Sequence, residues 1–265
     1  MTDAEHRRLI EQVANSFLTP NPPRQPVRLT LQGARPLQVD TPHGTVALLH
    51  AGSGPAVLLL HGWEGQASDM ASFAHALLER GFSIFAMDLP AHGASSGRQT
   101  SIPQSAMALQ AVAGVLPPLH AVIAHSVGSP VVVEALAAGM QAQRVVLLSA
   151  PARYEEYARQ YAMAAGLNAD ETAGMLSLLR ESRGIDVQQI SLPARAARLA
   201  QPALFIHSAD DRVVPIEDSI ASAAAWPGAR HLRVDGLGHR RILADAAVVE
   251  AAIEFVAEPA LTCTA

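Results

Sequence analysis

Between residues 44 and 234 the chain alternates short apolar runs with longer stretches in which apolar residues return every three or four positions. The runs at 44–51, 56–60, 82–87, 121–124, 145–149, 203–206 and 231–234 are aliphatic and mostly lack polar alternation. Such runs predict strands covered on both faces, as in parallel sheets sandwiched by helices. Helical spacing separates most of them, so the pattern predicts an α/β fold, a doubly wound, mostly parallel sheet with helices on both faces. Ahead of this region Leu9, Ile10, Val13 and Phe17 recur at helical spacing. They predict a leading helix over about 3–17, followed by a proline-rich linker that ends near residue 26.

The alternation breaks over about 151–200, where three helical segments follow one another with no strand between them. This predicts a helical cap inserted into the sheet domain. Asn168 followed by Glu171 is a capping pair, and Ser191 before Leu192-Pro193 marks the head of another helix. No internal repeat or low-complexity tract is present, so residues 1–265 read as a single domain carrying that insertion.

Composition narrows the chemistry. The chain is 265 residues long, 49 % hydrophobic, 16 % charged and 4 % aromatic, long enough to bury roughly 70–75 % of its unfolded surface. All 19 basic residues are arginines. Without lysine there is no Schiff-base amine, no phosphate-binding P-loop lysine and no Ser-Lys dyad. A net charge of −5 with no block of like charges argues against nucleic acid as a partner. The single cysteine, Cys263, lies close to the C-terminal end, which rules out an internal disulfide and leaves cysteine chemistry without a setting. The charged start Met1-Thr2-Asp3-Ala4-Glu5-His6-Arg7-Arg8 has no apolar secretory core, and no apolar run approaches the about 18 residues of a membrane span. A cytoplasmic location, no membrane span and no cofactor are therefore expected.

Residues 121–128, Ala-Val-Ile-Ala-His-Ser-Val-Gly, form a buried strand that runs into Ser126 and then into a helical pattern. A strand-to-helix turn this tight brings the residues two before and two after the serine together, and Ala124 and Gly128 are both small. A serine hydroxyl is a poor nucleophile without a base and an orienting acid. Both residue types stand downstream at strand ends. The strand at 203–206 leads into Asp210-Asp211, and the strand at 231–234 leads into Asp235-Gly236-Leu237-Gly238-His239. In an open α/β sheet the carboxyl ends of the strands share one edge, so Ser126, an aspartate and His239 would meet there.

With these residues in view the chain resembles the α/β-hydrolase superfamily from about residue 44 to 256, and is similar to its lysophospholipase-like and serine-aminopeptidase-like members. The order Ser, Asp, His is that superfamily's order. His61-Gly62-Trp63 after one strand and Asp88-Leu89-Pro90-Ala91-His92-Gly93-Ala94-Ser95 after another extend the likeness. The resemblance implies an oxyanion hole from the backbone N–H groups of Trp63 and Val127. It places the acid four residues before a proline, which selects Asp211 ahead of Pro215 over Asp210. His61 and His92 become loop histidines bonding backbone, His125 and His207 supporting residues, and no metal spacing such as H-E-x-x-H is present. A serine in this position sets aside the dehalogenases and epoxide hydrolases of the same fold, which carry aspartate there.

The expected activity is hydrolysis of a carboxylic ester of a small or medium-sized molecule through an acyl-enzyme on Ser126, His239 and Asp211. Thioester, amide or carbon–carbon hydrolysis and a perhydrolase reaction are alternatives on the same triad; a non-catalytic binding module or signalling receptor is the alternative from another class. All three tyrosines, Tyr154, Tyr157 and Tyr161, fall on one helical face of the cap. They line an acyl pocket or simply pack the cap onto the body.

Overall fold

The structure, a computed structural model, describes residues 3–21 and 27–258. Most of the expected proline-rich linker, and Cys263, lie outside the described residues. In chain order the elements begin with α1 (Asp3–Phe17), the hairpin β1 (Arg35–Thr41) and β2 (Gly44–Ala51), and β3 (Ala56–Leu60). Next come α2 (Ala71–Glu79), β4 (Ser83–Met87), α3 (Ile102–Val115), β5 (Leu119–His125), α4 (Gly128–Ala137) and β6 (Ala142–Leu148). A helical stretch then supplies α5 (Tyr154–Ala164), α6 (Ala169–Arg183) and α7 (Leu192–Ala196). The chain finishes with β7 (Ala203–Ser208), α8 (Ile216–Ala225), β8 (Arg230–Val234), α9 (Gly238–Arg241) and α10 (Ala246–Ala257).

The eight strands form one sheet in the order β1-β2-β4-β3-β5-β6-β7-β8. β1 and β2 are antiparallel to each other, β2 is antiparallel to β4, and every other pairing is parallel. The doubly wound, mostly parallel sheet expected from the sequence is thus present. β1 is an addition to that expectation. It is mostly exposed and carries Pro36, and only Leu37 and Val39 pack inward, so its sole apolar signal is a two-residue alternation at a sheet edge.

Side chains alternate across each buried strand, and this builds two cores. Leu58, Leu60, Val122, Ala124, Leu147 and Phe205 face the layer that holds α3, α4, α7 and Trp226. Val57, Leu59, Ile123, Val146, Leu148 and Ile206 face the layer of α2 and α10. Leu58, Leu59 and Leu60 are completely buried, so truncating one to alanine would cost about 2–5 kcal/mol. This rigid centre sets the carboxyl ends of β3, β5, β7 and β8 beside one another.

After β6 the chain leaves the sheet at Ser149 (φ 48°). A two-stranded closure returns it, with Tyr154 N–H donating to Ile190 O (3.1 Å) and Leu192 N–H to Ala152 O (2.8 Å). α6 starts on a reciprocal cap: Glu171 N–H donates to Asn168 Oδ1 (3.0 Å), and Asn168 N–H to Glu171 Oε2 (2.9 Å). It ends on Gly184 in the left-handed region (φ 66°). Ser191 stands at the head of α7 without a side-chain capping bond.

Candidate active site

Ser126 occupies the turn between β5 and α4 with φ of 50°, a left-handed conformation that costs a residue with a Cβ about 1–2 kcal/mol. The surroundings hold it there. Its N–H donates to Leu148 O on the neighbouring strand (2.8 Å), and its carbonyl accepts from Ser129 N–H (2.8 Å). Space at the turn is scarce: a methyl group on Gly128 would lie 2.6 Å from His61 O, and one on Gly62 would lie 2.9 Å from Ser126 Cβ. Ala124, two residues before the serine, fits as a fully buried side chain. The Ser126 side chain borders two cavities at this sheet edge, and Val127 is the N-cap of α4, so the N-terminal N–H groups of that helix begin directly after the serine.

His239 heads α9, just past the end of β8. Its Nε2 lies 3.1 Å from Ser126 Oγ and its Nδ1 2.8 Å from Asp211 Oδ2. The carboxylate only accepts, so Nδ1 carries the proton and Nε2 is left as the base facing the hydroxyl. Asp211 is itself held from several sides. Val213 and Val214 N–H donate to Oδ1 (2.8 and 3.0 Å), and His207 Nε2 lies 3.3 Å from Oδ2. Burial pushes this carboxyl up, yet the hydrogen bonds from His207, His239 and the two backbone amides outweigh it and hold it well below the usual carboxylate range.

Asp210, the neighbouring carboxylate, turns to the loop instead. It accepts from Gly238 N–H (3.1 Å) and from Ser208 Oγ, while Ser208 Oγ accepts from Leu237 and Gly238 N–H (3.1 Å each). Ser208 and Asp210 therefore pin the loop that carries His239. Sequence reasoning did not single out Ser208, because its role exists only once β7 and β8 are adjacent.

Three further histidines near the site, His61, His92 and His125, brace backbone. His61 Nδ1–H donates to Gly62 O (2.7 Å) and its Nε2 accepts from Leu89 N–H (3.0 Å). His92 Nδ1–H donates to Pro90 O (2.9 Å) and Nε2 accepts from Glu64 N–H (3.1 Å). His125 Nε2–H donates to His239 O (2.9 Å). Burial, reinforced by the neighbouring His92 and His239 respectively, brings His61 and His125 down to about 3, so both are neutral at pH 7. Among the described residues no group of three or more His, Cys, Asp or Glu is arranged to hold a metal ion.

Two cavities open on the Ser126–His239 pair. The larger, about 510 Å³, runs beneath α5 and is walled by Tyr154, Tyr157, Tyr161, Phe17 and Ile190. The smaller, about 340 Å³, lies toward α2 and is bordered by Gly62, Ser68, Asp69 and His125. Trp63 and Arg240 border both. Burial raises the Asp69 carboxyl above its ordinary range. The tyrosines do not divide into lining and packing residues. Tyr157 O–H donates to Asp218 Oδ2 (2.7 Å) and Tyr161 Oη pairs with Ser16 Oγ (2.7 Å), while their rings border the cavity. On α5 and the residue before it, Arg153 pairs with Glu156 (3.1 Å) and Arg159 with Glu155 (2.7 Å). Phe17, Val213 and Arg240 were not expected at the site; nothing local in the sequence marks a residue as a cavity wall.

Comparison with known proteins gives a consistent set. The model of a family described as the alpha/beta hydrolase family matches residues 57–252. A pimeloyl-[acyl-carrier protein] methyl ester esterase of Xanthomonas campestris pv. campestris (strain B100) is 27 % identical over 249 residues, spanning 78 % of this chain and 96 % of that protein. Among solved structures, an esterase of Pyrococcus furiosus superposes with a TM-score of 0.68 at 20 % identity, over 89 % of this chain and 99 % of that one. The esterase EaEST of Exiguobacterium antarcticum does so with a TM-score of 0.67 at 16 % identity, over 84 % and 100 %. At these identities the two structures show likeness of fold.

Proposed function

The chain belongs to the alpha/beta hydrolase family, and on that premise we propose that it is a serine esterase that cleaves carboxylic esters of small or medium-sized acyl groups through an acyl-enzyme on Ser126. The observation that carries this reading is the unbroken relay from Ser126 Oγ through His239 to Asp211, at 3.1 and 2.8 Å, opening onto an apolar cavity.

His239 Nε2 takes the Ser126 proton as Oγ attacks the ester carbonyl, and then delivers it to the departing alcohol. Asp211, kept ionised by its hydrogen bonds, holds the imidazole tautomer and stabilises the imidazolium that forms. The backbone N–H groups of Trp63 and Val127 receive the oxyanion, each worth about 3–4 kcal/mol of transition-state stabilisation. A water activated by His239 then releases the acid. The helices within 151–200 act as a cap over the serine, and the acyl chain occupies the larger cavity between cap and body, with Tyr154, Tyr157 and Tyr161 along it. The alcohol side faces the smaller cavity. Paired cap charges favour a neutral, partly apolar acyl group. The methyl ester named for the Xanthomonas relative supports an ester as the scissile bond. The reaction calls for no cofactor, and a cytoplasmic setting suits a chain in which no described helix is long and apolar enough to cross a membrane.

A fluorophosphonate probe and a series of p-nitrophenyl esters of graded acyl length test the proposal. Rapid labelling at Ser126 and ester turnover that falls by several powers of ten in Ser126→Ala are expected. An unlabelled serine with no turnover would leave a binding module, and an adduct on another serine would overturn the assignment.

A further inference from the structure

Helix α1 precedes the residues that the family model matches, which begin at 57, yet it does not pack on either face of the sheet. Its apolar stripe, Leu9, Ile10, Val13, Ala14 and Phe17, turns toward α5 and α6. There Val13, Ala14 and Phe17 share a buried cluster with Ala158, Ala162 and Met175, separate from the two sheet-face cores. Polar contacts repeat the pairing: Ser16 Oγ meets Tyr161 Oη (2.7 Å), and Arg183 donates to Asn15 Oδ1 (2.7 Å).

The C-terminal end of α1 enters the candidate site. The Phe17 ring lies 5.4 Å from that of Tyr154 and 5.3 Å from that of Tyr161, and all three border the larger cavity. Immediately beyond, Thr100 N–H donates to Leu18 O (2.9 Å), and Asn21 donates through both its side-chain amide (2.7 Å) and its backbone N–H (3.1 Å) to Glu64 Oε1. Glu64 follows Trp63 and sits at φ 57°. The segment thus spans from the cap to the loop beside Ser126, and its one large ring reaches the cavity at a point fixed from both sides.

We infer that α1 is a working part of the cap and that Phe17 is a specificity-determining residue, its ring setting how long an acyl chain the larger cavity accepts. The inference rests on the ester-hydrolase reading above. An acyl chain entering from Ser126 runs along Tyr154 and Tyr161 and meets Phe17; shortening that side chain lengthens the apolar channel.

The test compares kcat/KM for p-nitrophenyl esters of four- and eight-carbon acyl groups in the parent protein, Phe17→Leu, Phe17→Ala and Val13→Ala. Each newly accommodated methylene is worth about fourfold. The eight- to four-carbon ratio should therefore rise about tenfold in Phe17→Ala and by a smaller factor in Phe17→Leu, which carries the test if the alanine variant does not fold. Val13→Ala removes packing in the same cluster without bordering the cavity. It should lower the melting temperature and leave the ratio where it was. A ratio unmoved in both Phe17 variants of a protein that hydrolyses esters and labels with fluorophosphonate overturns this inference alone. A ratio moved equally by Val13→Ala also overturns it, since helix docking would then set chain length. A parent protein that neither labels nor hydrolyses any ester removes the ester-hydrolase reading and this inference with it.

Discussion

Two buried imidazoles, His61 and His125, should give the protein a specific sensitivity to acid. His61 and His125 stay neutral in the folded protein down to a pH of about 3, whereas in the unfolded chain they titrate at the ordinary value of 6.5. Their folded-state values are depressed, so the stability they preserve is complete above 6.5 and is lost as pH falls toward 3, because only the unfolded chain takes up the protons. From pH 7 to pH 5 each histidine shifts the equilibrium by about 2 kcal/mol, and the pair by about 4 kcal/mol. Folded domains have about 5–15 kcal/mol in total, so a large fraction of the stability should vanish by pH 5. His92, lowered by burial, acts in the same direction. Asp69, raised by burial, takes up its proton in the folded protein at a higher pH than in the unfolded chain, and so opposes this loss as pH falls toward the ordinary carboxylate value. Urea unfolding at pH 7, 6 and 5, followed by the fluorescence of Trp63 and Trp226, measures the slope directly. His125→Gln removes one of the two protons, so its stability should fall about 2 kcal/mol less over the same interval, whatever its stability at pH 7. A parent protein equally stable at pH 5 and pH 7, or a His125→Gln variant with the parent's slope, would refute the argument.

Other perturbations separate roles that lie close together. Asp211→Asn should lower kcat by about 10³–10⁴ by presenting the wrong hydrogen-bonding face to His239, whereas Asp210→Asn, which only loosens the 236–238 loop, should lose far less; the reverse order in steady-state assays would exchange the two aspartates. Ser126→Gly should abolish turnover yet raise unfolding free energy by about 0.5–1 kcal/mol, the relief of a left-handed backbone less the entropy of glycine; urea titration reads the sign. Gly128→Ala places a methyl group 2.6 Å from His61 O and should cost about 1–3 kcal/mol together with fluorophosphonate labelling, measured by melting temperature and gel. Tyr157→Phe removes a hydrogen bond to the Asp218 carboxylate and should destabilise by about 1.5–3 kcal/mol; an unchanged melting temperature would show that the hydroxyl does not tie α5 to α8.

The sequence by itself carried most of what depends on neighbours along the chain. Runs such as 56–60 announce strands covered on both faces because a strand needs aliphatic side chains on each side to bury, and the Asn168–Glu171 pair announces a helix start because the cap is a local hydrogen bond. The tight turn at Ser126 is legible in Ala124 and Gly128 for the same reason. β1 escaped this reading because at a sheet edge only Leu37 and Val39 are needed inside, too few to rise above a loop. What the tertiary structure alone decided is distance between residues far apart. His239 lies 113 residues from Ser126 in sequence and 3.1 Å from it in space. That separation collapses because β5 and β8 end at the same edge, a consequence of strand order and not of any local pattern. The choice between two adjacent aspartates likewise became physical only when Val213, Val214 and His207 were seen to surround Asp211 while Ser208 and the 236–238 loop took Asp210. Phe17 is the extreme case. Periodicity marks it as an apolar position on a leading helix, but whether that helix covers the sheet or walls a cavity depends on which other surface is left uncovered, and only the assembled fold presents that surface.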